Sequence, residues 1–557
     1  MVTPNNLGFQ VEEERGPDQT IVRLGTARTA FVGRTLRGPV DRPIFVKTFA
    51  EFQHIFGGLW QPSPLGYAVE HFFDNGGREA LIVRVVNGAR AATLTLNAGR
   101  QTLKLRAVRP GTREFLRASV DYDNVSPADA AEFNLTVQRV RIQGTEQVED
   151  QEIFPRVSIL PAADRYVGDV LAESELVQLM GDVPAVRPDR TVDPASGVAT
   201  RYVSSNADGD DGAPLTDYDL IGSEVDQRGL FALGRAEYFN LLCIPPLSRE
   251  QDVGPSTLLV AARYCKERRA LLIVDPPSEW HTADDALRGM RQWNFSNENA
   301  LMYFPRILAH DKLRGHFEVF APCGAVAGML GRSDETFPVW GPAKIEDAVL
   351  RPGLRPSCLV TEDRRMRLAA LGVNTIQAVR SAARIGVSPR TLAAGTAGAA
   401  DWQSLAARRL ALFILNSVER GTRWVILAQP HQEVAQSAAG QVSAFFEQLH
   451  HAGAFGDRSM EESFIVICDS RVNSAQTAAA TEFQLVIGFA AARRGEFHSF
   501  RIVHSATGSK ITPVSLNRLN SAQYSPEELE WVDNLAKQLG AGHRLGASSP
   551  EAGQSRS

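Results

Sequence analysis

Residues 31–40 read FVGRTLRGPV, which sets Gly33 and Gly38 at the glycine spacing of a phosphate-cradling loop. Such a loop converges backbone N–H groups on phosphate and uses a following lysine and hydroxyl for charge and magnesium. Here Pro39 and Val40 follow Gly38, and Pro43 stands where a helix should begin. Proline removes a donor and the lysine and hydroxyl are missing, so the stretch reads as a buried strand, 29–32, leaving through a turn. Asp275 is the strongest catalytic candidate. It ends ALLIVDPP at the carboxyl edge of a predicted parallel strand, where open α/β sheets place ligands, with Glu279 and His281 close in sequence. Its alternative role is structural: in Asp275-Pro276-Pro277 the carboxylate would accept backbone hydrogen bonds in a turn. His450 and His451 fall at a predicted helix end, where the dipole favours a cation without any metal. GAVAGMLGR (324–332) is glycine-rich, but its alanines point to close helix packing over a dinucleotide turn. The five cysteines, Cys243, Cys265, Cys323, Cys358 and Cys468, are odd in number and never spaced CxxC, so they read as small buried hydrophobes. HExxH, GxSxG and GxGxxG are all absent. The residues therefore indicate no metal and no cofactor, and an enzyme built on Asp275 lacks a second catalytic group.

The elements that would position these residues follow from length and periodicity. At 557 residues the chain exceeds what one core organises, so roughly two to four domains are expected. A net charge of −5 supplies no basic field for nucleic acid or an anionic membrane. The start has no basic segment leading into an apolar one, and no run reaches ~18 apolar residues, so synthesis and retention in the cytosol are expected, without membrane insertion. Residues 1–24 form an extended arm with the alternation FQVEEER. The segment 25–88 reads strand, turn, strand, two helices (51–56 and 65–73) and the buried strand ALIVRVV. From Ala92 the period becomes two (TLTLN, TLKLRAV, FNLTVQRVRI), which marks antiparallel strands of an inserted β domain. A helix is expected over 164–180, and then a Pro, Gly and Asp-rich surface excursion or mobile loop over 181–217, so the whole insertion runs 89–235. The α/β rhythm returns over 236–480, with strands NLLCIP, ALLIVDPP and ALMYFP, helices 256–269, 284–293 and 405–420, a strand RWVIL, and a helix ending at Gly453. Strands close the core over 481–503. Residues 504–557 form an extra tail with one helix announced by Ser525-Pro526-Glu527-Glu528 and a disordered end. The fold class is an α/β core with a largely parallel sheet flanked by helices, discontinuous in sequence, carrying an inserted antiparallel β domain and extended terminal arms.

Several stretches, taken in order, resemble the contractile tail sheath family, which includes the sheaths of contractile phages, R-type tailocins and related injection systems. TAFVGRTLRGPVDRPIFVKTFAEFQHIFGG with LGYAVEHFFDNGGREALIVRV is similar to the family's amino-terminal signature. EIFPRVSI with DRYVGDVLAESELVQL resembles the return from its insertion, and LIGSEVDQRGLFAL, FNLLCIPP, YCKERRALLIVDPP, GAVAGMLGRSDETFPVWGPA and RRLALFILNSVERGTRWVIL complete the series over 9–503. Two departures stand out: IGVSPRTLAAGT (385–396) lacks a Trp-Gly before Arg390-Thr391-Leu392, and 504–557 extends past the usual end.

The resemblance implies a non-enzymatic structural subunit that forms a helical tube of its own copies around an inner tube protein. It implies baseplate and terminator or cap proteins as further partners, and assembly in the bacterial cytoplasm into a phage tail or tail-like particle. Contraction would need no nucleotide. The insertion would face outward. Neighbours would be tied by strands exchanged between subunits, with Phe9, Val11, Glu12 and Glu13 in the amino-terminal arm and Phe483, Leu485, Ile487, Phe497, Phe500 and Ile502 in the carboxyl-terminal strands. A cap or baseplate component of the same machine is the second reading, and an α/β enzyme using Asp275 the third.

Overall fold

The computed structural model describes residues 20–143, 145–191, 202–206, 208–293, 295–341, 348–351, 353–379, 382–385, 389–393, 402–427, 432–473, 477, 482–491 and 497–514. These fall into two compact units. The larger holds the described residues of 27–336 and 343–387, and the smaller those of 1–26, 337–342 and 388–557.

In the larger unit the chain begins with β1 (Thr29–Gly33), buried at every position. It continues through β2 (Ile44–Val46), α1 (Phe49–Phe56), α2 (Leu65–Asp74) and β3 (Ala80–Arg84). Thr48 caps α1 by accepting from the Glu51 N–H, and Gly57 ends it at φ 89°, where a side chain would be strained. After the insertion come β11 (Leu241–Cys243), α5 (Pro255–Arg268), β12 (Leu271–Val274), α6 (Ala283–Gln292), β13 (Ala300–Phe304), β14 (Ile307–Asp311), β15 (His316–Phe320), α7 (Cys323–Thr336), β16 (Arg355–Pro356), α8 (Glu362–Ala370), β17 (Val373–Val379) and β18 (Ala382–Ile385). One eight-stranded sheet runs β18-β17-β13-β12-β11-β1-β3-β2. Its interior pairs are parallel and its two outermost pairs antiparallel. The central strands are uninterrupted apolar runs because helices cover both faces.

The insertion is a sandwich of two sheets. β4 (Thr93–Ala98), β5 (Gln101–Ala107) and β9 (Val177–Leu179) form one, while β6 (Leu116–Asp121), β7 (Glu132–Gln143), β8 (Thr145–Ser158) and β10 (Val203–Ser204) form the other in the order β10-β6-β7-β8. The alternating apolar residues, Leu94, Leu96, Leu103, Leu105, Val120, Leu135 and Val137 among them, meet in one core. At the sheet's edge, β8 is interrupted by Pro155, and Arg156 stands at φ 51°. The helix expected over 164–180 is confined to α3 (Val167–Ala172). Ser174 Oγ accepts from the N–H groups of Leu176 and Val177, a local turn that competes with the helix and releases β9 to pair with β5. The described parts of 181–217 are fastened at many points: Thr191 N–H donates to Val120 O at 3.0 Å, and Asp208 accepts from the N–H of Thr93 at 2.8 Å and its hydroxyl at 2.6 Å. Aspartate here works as a backbone clip. A short helix, α4 (Asp217–Ile221), closes the segment.

One close approach holds the sheet's helices together. An added Cβ at Gly324 of α7 would lie 1.9 Å from Ala68 O of α2, and one at Gly328 would lie 2.2 Å from Phe72 O. The alanine-glycine pattern of 324–332 is thus a helix-packing face, as read from its composition.

The smaller unit contains α9 (Leu405–Gly421), α10 (Gln432–His451), α11 (Met460–Ser463), and a four-stranded antiparallel sheet β19 (Phe464–Ile467), β20 (Phe483–Phe489), β21 (His498–Ser505) and β22 (Gly508–Val514). Leu410, Ile414, Val442, Phe446, Leu485, Ile487 and Ile502 share its core. RWVIL is not a strand: Arg423–Ile426 forms a 3-10 turn. Arg423 reaches back one turn to Glu419 at 2.7 Å, and Thr422 Oγ1 donates to Val418 O at 2.7 Å, so side chains extend the helical path despite the β-branched composition. The last strand, β22, carries the unit beyond the expected end near 503. Phe9, Val11, Glu12, Glu13 and the helix expected after Ser525 lie outside the described residues. Among those described, no helix is long and apolar enough to cross a membrane.

Two glycines give opposite expectations. Gly324→Val should lower unfolding stability by about 3 kcal/mol, since the methyls meet backbone that cannot yield. Gly440→Ala, in α10 with nothing within 4 Å of its missing Cβ, should raise it by roughly 0.5–1 kcal/mol. Urea unfolding checks both, and equal effects would contradict the packing account.

Candidate functional site

Three places in the fold could do something: the turn after β1, the strand ends around Asp275, and the sheet edges of the smaller unit. The turn of residues 34–38 leaves β1 without entering a helix; α1 begins only at Phe49. Strand order reverses between β1 and β11, where an open sheet forms its ligand crevice. The protein covers the β1 side itself: a Cβ on Gly33 would sit 2.9 Å from Leu65 Cδ1 at the start of α2, and Ser63 Oγ donates to Arg34 O at 2.6 Å. The lysine and hydroxyl needed to hold phosphate are missing from the sequence, and Leu65 and Ser63 cover the β1 side of the crevice.

Asp275 follows β12, as its sequence context predicts, and its Oδ1 accepts from the Cys323 N–H at 2.8 Å. Cys323 opens α7, so the carboxylate occupies the position at a helix start that an anionic ligand could otherwise take. The residue is partly exposed, yet Oδ2 is enclosed and, among the described residues, without a hydrogen-bond partner. Beside it lies a cavity of about 40 Å³, lined also by Asp252, Leu258 and Trp293, with room for a water. Enclosure pushes the Asp275 carboxyl up to about 6, against the hydrogen bond from Cys323 and the charge of Arg306. Arg306 is itself engaged, pairing with Asp252 and donating to Pro276 O at 2.9 Å. Glu279 and His281 are exposed, and among the described residues neither bonds Asp275. The turn role proposed for Asp275 thus holds in kind, since it accepts from backbone, but the donor is a helix start 48 residues away. Sequence carried no signal for that donor. His450 Nε2 contacts Arg458 O at 2.8 Å, and among the described residues no cluster could hold a metal ion.

The carboxyl-terminal residues predicted for strand exchange fall in the smaller unit. Phe483, Leu485 and Ile487 lie on β20, and Phe500 and Ile502 on β21, all buried. Phe497 precedes β21 and packs on Gly488, whose missing Cβ would lie 2.2 Å from its ring. β20 is paired on one side with β19 and on the other with β21, and β21 with β22, so these residues already belong to a sheet completed within the chain. Its outer edges are β19 and β22. β22 carries Lys510 and Pro513, residue types that discourage further pairing; Phe464–Ile467 of β19 has neither.

The amino-terminal segment is rooted in this same unit. Ile21 is buried with α9 and β20, and Gly421 leaves the space for it, a Cβ there falling 2.8 Å from Ile21 Cγ1. The Leu24 N–H donates to Ser417 Oγ at 3.4 Å and Arg409 to Thr26 O at 3.2 Å. On β21, buried His504 joins Thr422 Oγ1 and Ser509 Oγ at 2.8 Å each, and burial holds its imidazole down to about 4 although Glu419 pulls the other way.

No family model matches the chain, and no curated protein matches it. Solved structures do. A sheath tail protein of Listeria innocua aligns with a TM-score of 0.57 at 12% identity, over 87% of this chain and 96% of its own. The sheath of an extracellular contractile injection system, PVC, in its contracted state gives 0.52 at 14% identity over 89% and 97%. A sheath tail protein of Desulfitobacterium hafniense gives 0.50 at 11% identity over 91% and 99%. The chain has the fold of contractile sheath proteins, in agreement with the resemblance carried by its motifs.

Two titrations follow with opposite signs. Asp275 binds its proton more tightly folded (about 6) than unfolded (~3.9), so its contribution is full below pH ~4 and lost as pH rises through 6. Relative to Asp275→Asn, the wild type should lose stability between pH 5 and 7. His504 contributes fully above its unfolded value of ~6.5 and loses that contribution as pH falls toward 4. The wild type should therefore lose of order 1–2 kcal/mol between pH 7 and 5 that His504→Gln does not lose. Urea midpoints across that range read both.

Proposed function

We propose that this chain is the structural subunit of a contractile tail sheath, which polymerises helically around an inner tube and drives that tube through a target envelope. The observation that carries the reading is the extent of the fold likeness: it spans 87–91% of this chain and 96–99% of each sheath protein compared. A likeness confined to one shared subdomain would not extend over that much of both chains.

Contraction in this reading hydrolyses no nucleotide. The turn that has phosphate-loop glycine spacing lacks the lysine and hydroxyl, and Leu65 and Ser63 cover the strand end beside it. The free energy comes instead from lattice contacts: about 200 Å² of additional apolar burial per subunit corresponds to roughly 5 kcal/mol at ~25 cal/mol per Å². A heterologous contact that does not close generates the required helix of copies.

Neighbouring subunits are tied by strand addition. The arm bearing Phe9, Val11, Glu12 and Glu13 has the alternation of an edge strand and leads from the unit that holds Phe483, Leu485, Ile487, Phe497, Phe500 and Ile502. Because five of those residues sit on strands already paired within the chain and Phe497 packs beside them, an incoming arm joins the sheet at an outer edge. β19 is the more receptive of the two, lacking the lysine and proline of β22. The inner tube protein, the baseplate and a terminator or cap protein are the remaining partners, in a phage tail or tail-like particle.

Electron microscopy of the protein expressed alone and sedimented tests the reading, with hollow cross-striated tubes the expected outcome. Deleting residues 1 to 20 should leave a folded monomer, by circular dichroism, that forms none. Normal tubes from the truncated chain would overturn strand exchange by the arm. Rings or small complexes from the full chain would turn the assignment to a cap or baseplate component.

A further inference from the structure

The turn that leaves β1 is empty of phosphate chemistry but rich in arginine, and its arginines all have work. Its backbone is fixed to the sheet side of the larger unit. The Arg37 N–H donates to Phe56 O at 3.2 Å, Thr35 Oγ1 donates to Arg37 O at 2.8 Å, and a Cβ on Gly38 (φ 110°) would lie 2.6 Å from the Phe56 ring. From this base the side chains reach into the inserted sandwich. Arg34 donates to Asp211 O at 3.0 Å and Gly212 O at 2.8 Å, its guanidinium lying 4.7 Å from the centre of the Trp60 ring. Arg37 grips Glu149 of β8 through both terminal nitrogens while also donating to His54 O at 2.7 Å. Arg84, at the end of β3, bridges Gly38 O at 2.7 Å and Pro110 O at 2.9 Å.

The sandwich side is braced to receive them. Asp211 accepts from the N–H of Thr112 at 2.8 Å and its hydroxyl at 2.7 Å. Glu149 lies 3.6 Å from Arg139, which is 2% exposed and also pairs with Asp150 and, at 3.8 Å, with Glu114. Burial would raise the Glu149 carboxyl, but the bond from Arg37 and the charges of Arg37, Arg139 and Arg141 outweigh it and hold it below the usual range. A decoration hanging from two chain crossings needs none of this, and desolvating so many charges costs free energy that surface contacts would not. What buried, forked ion pairs supply is a single geometry.

We propose that the 34–38 turn is an ionic clasp that locks the inserted sandwich to the parallel sheet in one orientation, so that the two move as one rigid body. Any load or contact borne by the sandwich is then delivered to the sheet at the carboxyl end of β1, through Arg37 and Glu149.

The test uses the full chain. Spin labels on Lys47→Cys and Asp123→Cys, in a Cys358→Ser background, report the distance between sheet and sandwich. The wild type should give one narrow distribution, and Arg37→Ala should broaden it while circular dichroism stays unchanged. Amides of 34–38 and 208–213 should then exchange at least about tenfold faster than in wild type. Glu149→Gln, which preserves shape and removes the charge, carries the same test if Arg37→Ala does not fold. A distribution and exchange rates unchanged in the folding variant would overturn the clasp, leaving the backbone bridges Arg90 to Asp210 and Asn87 to Ala213 as the sufficient restraint.

Discussion

The larger unit depends on how closely two backbones come together. α2 comes from the first stretch of the sheet's sequence and α7 from the part after the insertion, and Gly324 and Gly328 let α7 settle directly on the carbonyls of Ala68 and Phe72. α2 packs on β1, while α7 packs on β11 and β12. The seam between the two helices therefore lies over the join between the two sequence halves of the sheet. A side chain at either glycine would wedge that join open, which is why a glycine-rich helix, poor by propensity, is tolerated here. Even α2's polar residues conform: Glu70 pairs with Lys312 at 2.7 Å, and burial holds the His71 imidazole down to about 4.

Much of this architecture could be read in advance because its signals are local. LLIV and ALMYF are continuous apolar runs, TLTLN and TLKLRA alternate, and GAVAGMLG carries small residues at helical spacing. Each pattern records burial within a few residues of itself. The elements that were misread are those whose fate is settled by one side chain turning back on its own backbone or its own helix. Ser174 ends a helix that the flanking residues would have continued, and Glu419 with Arg423 holds RWVI out of a strand. The polar architecture was illegible for a different reason. Glu149 is 112 residues from Arg37, and Cys323 is 48 from Asp275; no periodicity links such pairs, so GRTLRG reads only as a strand-leaving turn and Asp275 as a catalytic candidate or a turn residue.

The same contrast bears on function. Spacing alone made two places look like ligand sites, and at both the protein supplies the missing partner: Leu65 and Ser63 over the end of β1, and Asp275 itself at the start of α7. Among the described residues, what the fold leaves available is backbone at the outer edges of sheets, β19 and β22 in the smaller unit. The likeness to the fold of sheath proteins runs through both units.

β8 is a long strand at the rim of the inserted sandwich, and long rims are templates for unwanted pairing. Pro155 cannot donate, Arg156 turns the backbone into the left-handed region, and register shifts interrupt the ladder with β7. Together they spoil the rim as a surface for a second sandwich. A second sandwich meeting this rim therefore finds no regular ladder to extend, which leaves the inserted domain a poor seed for uncontrolled sheet growth.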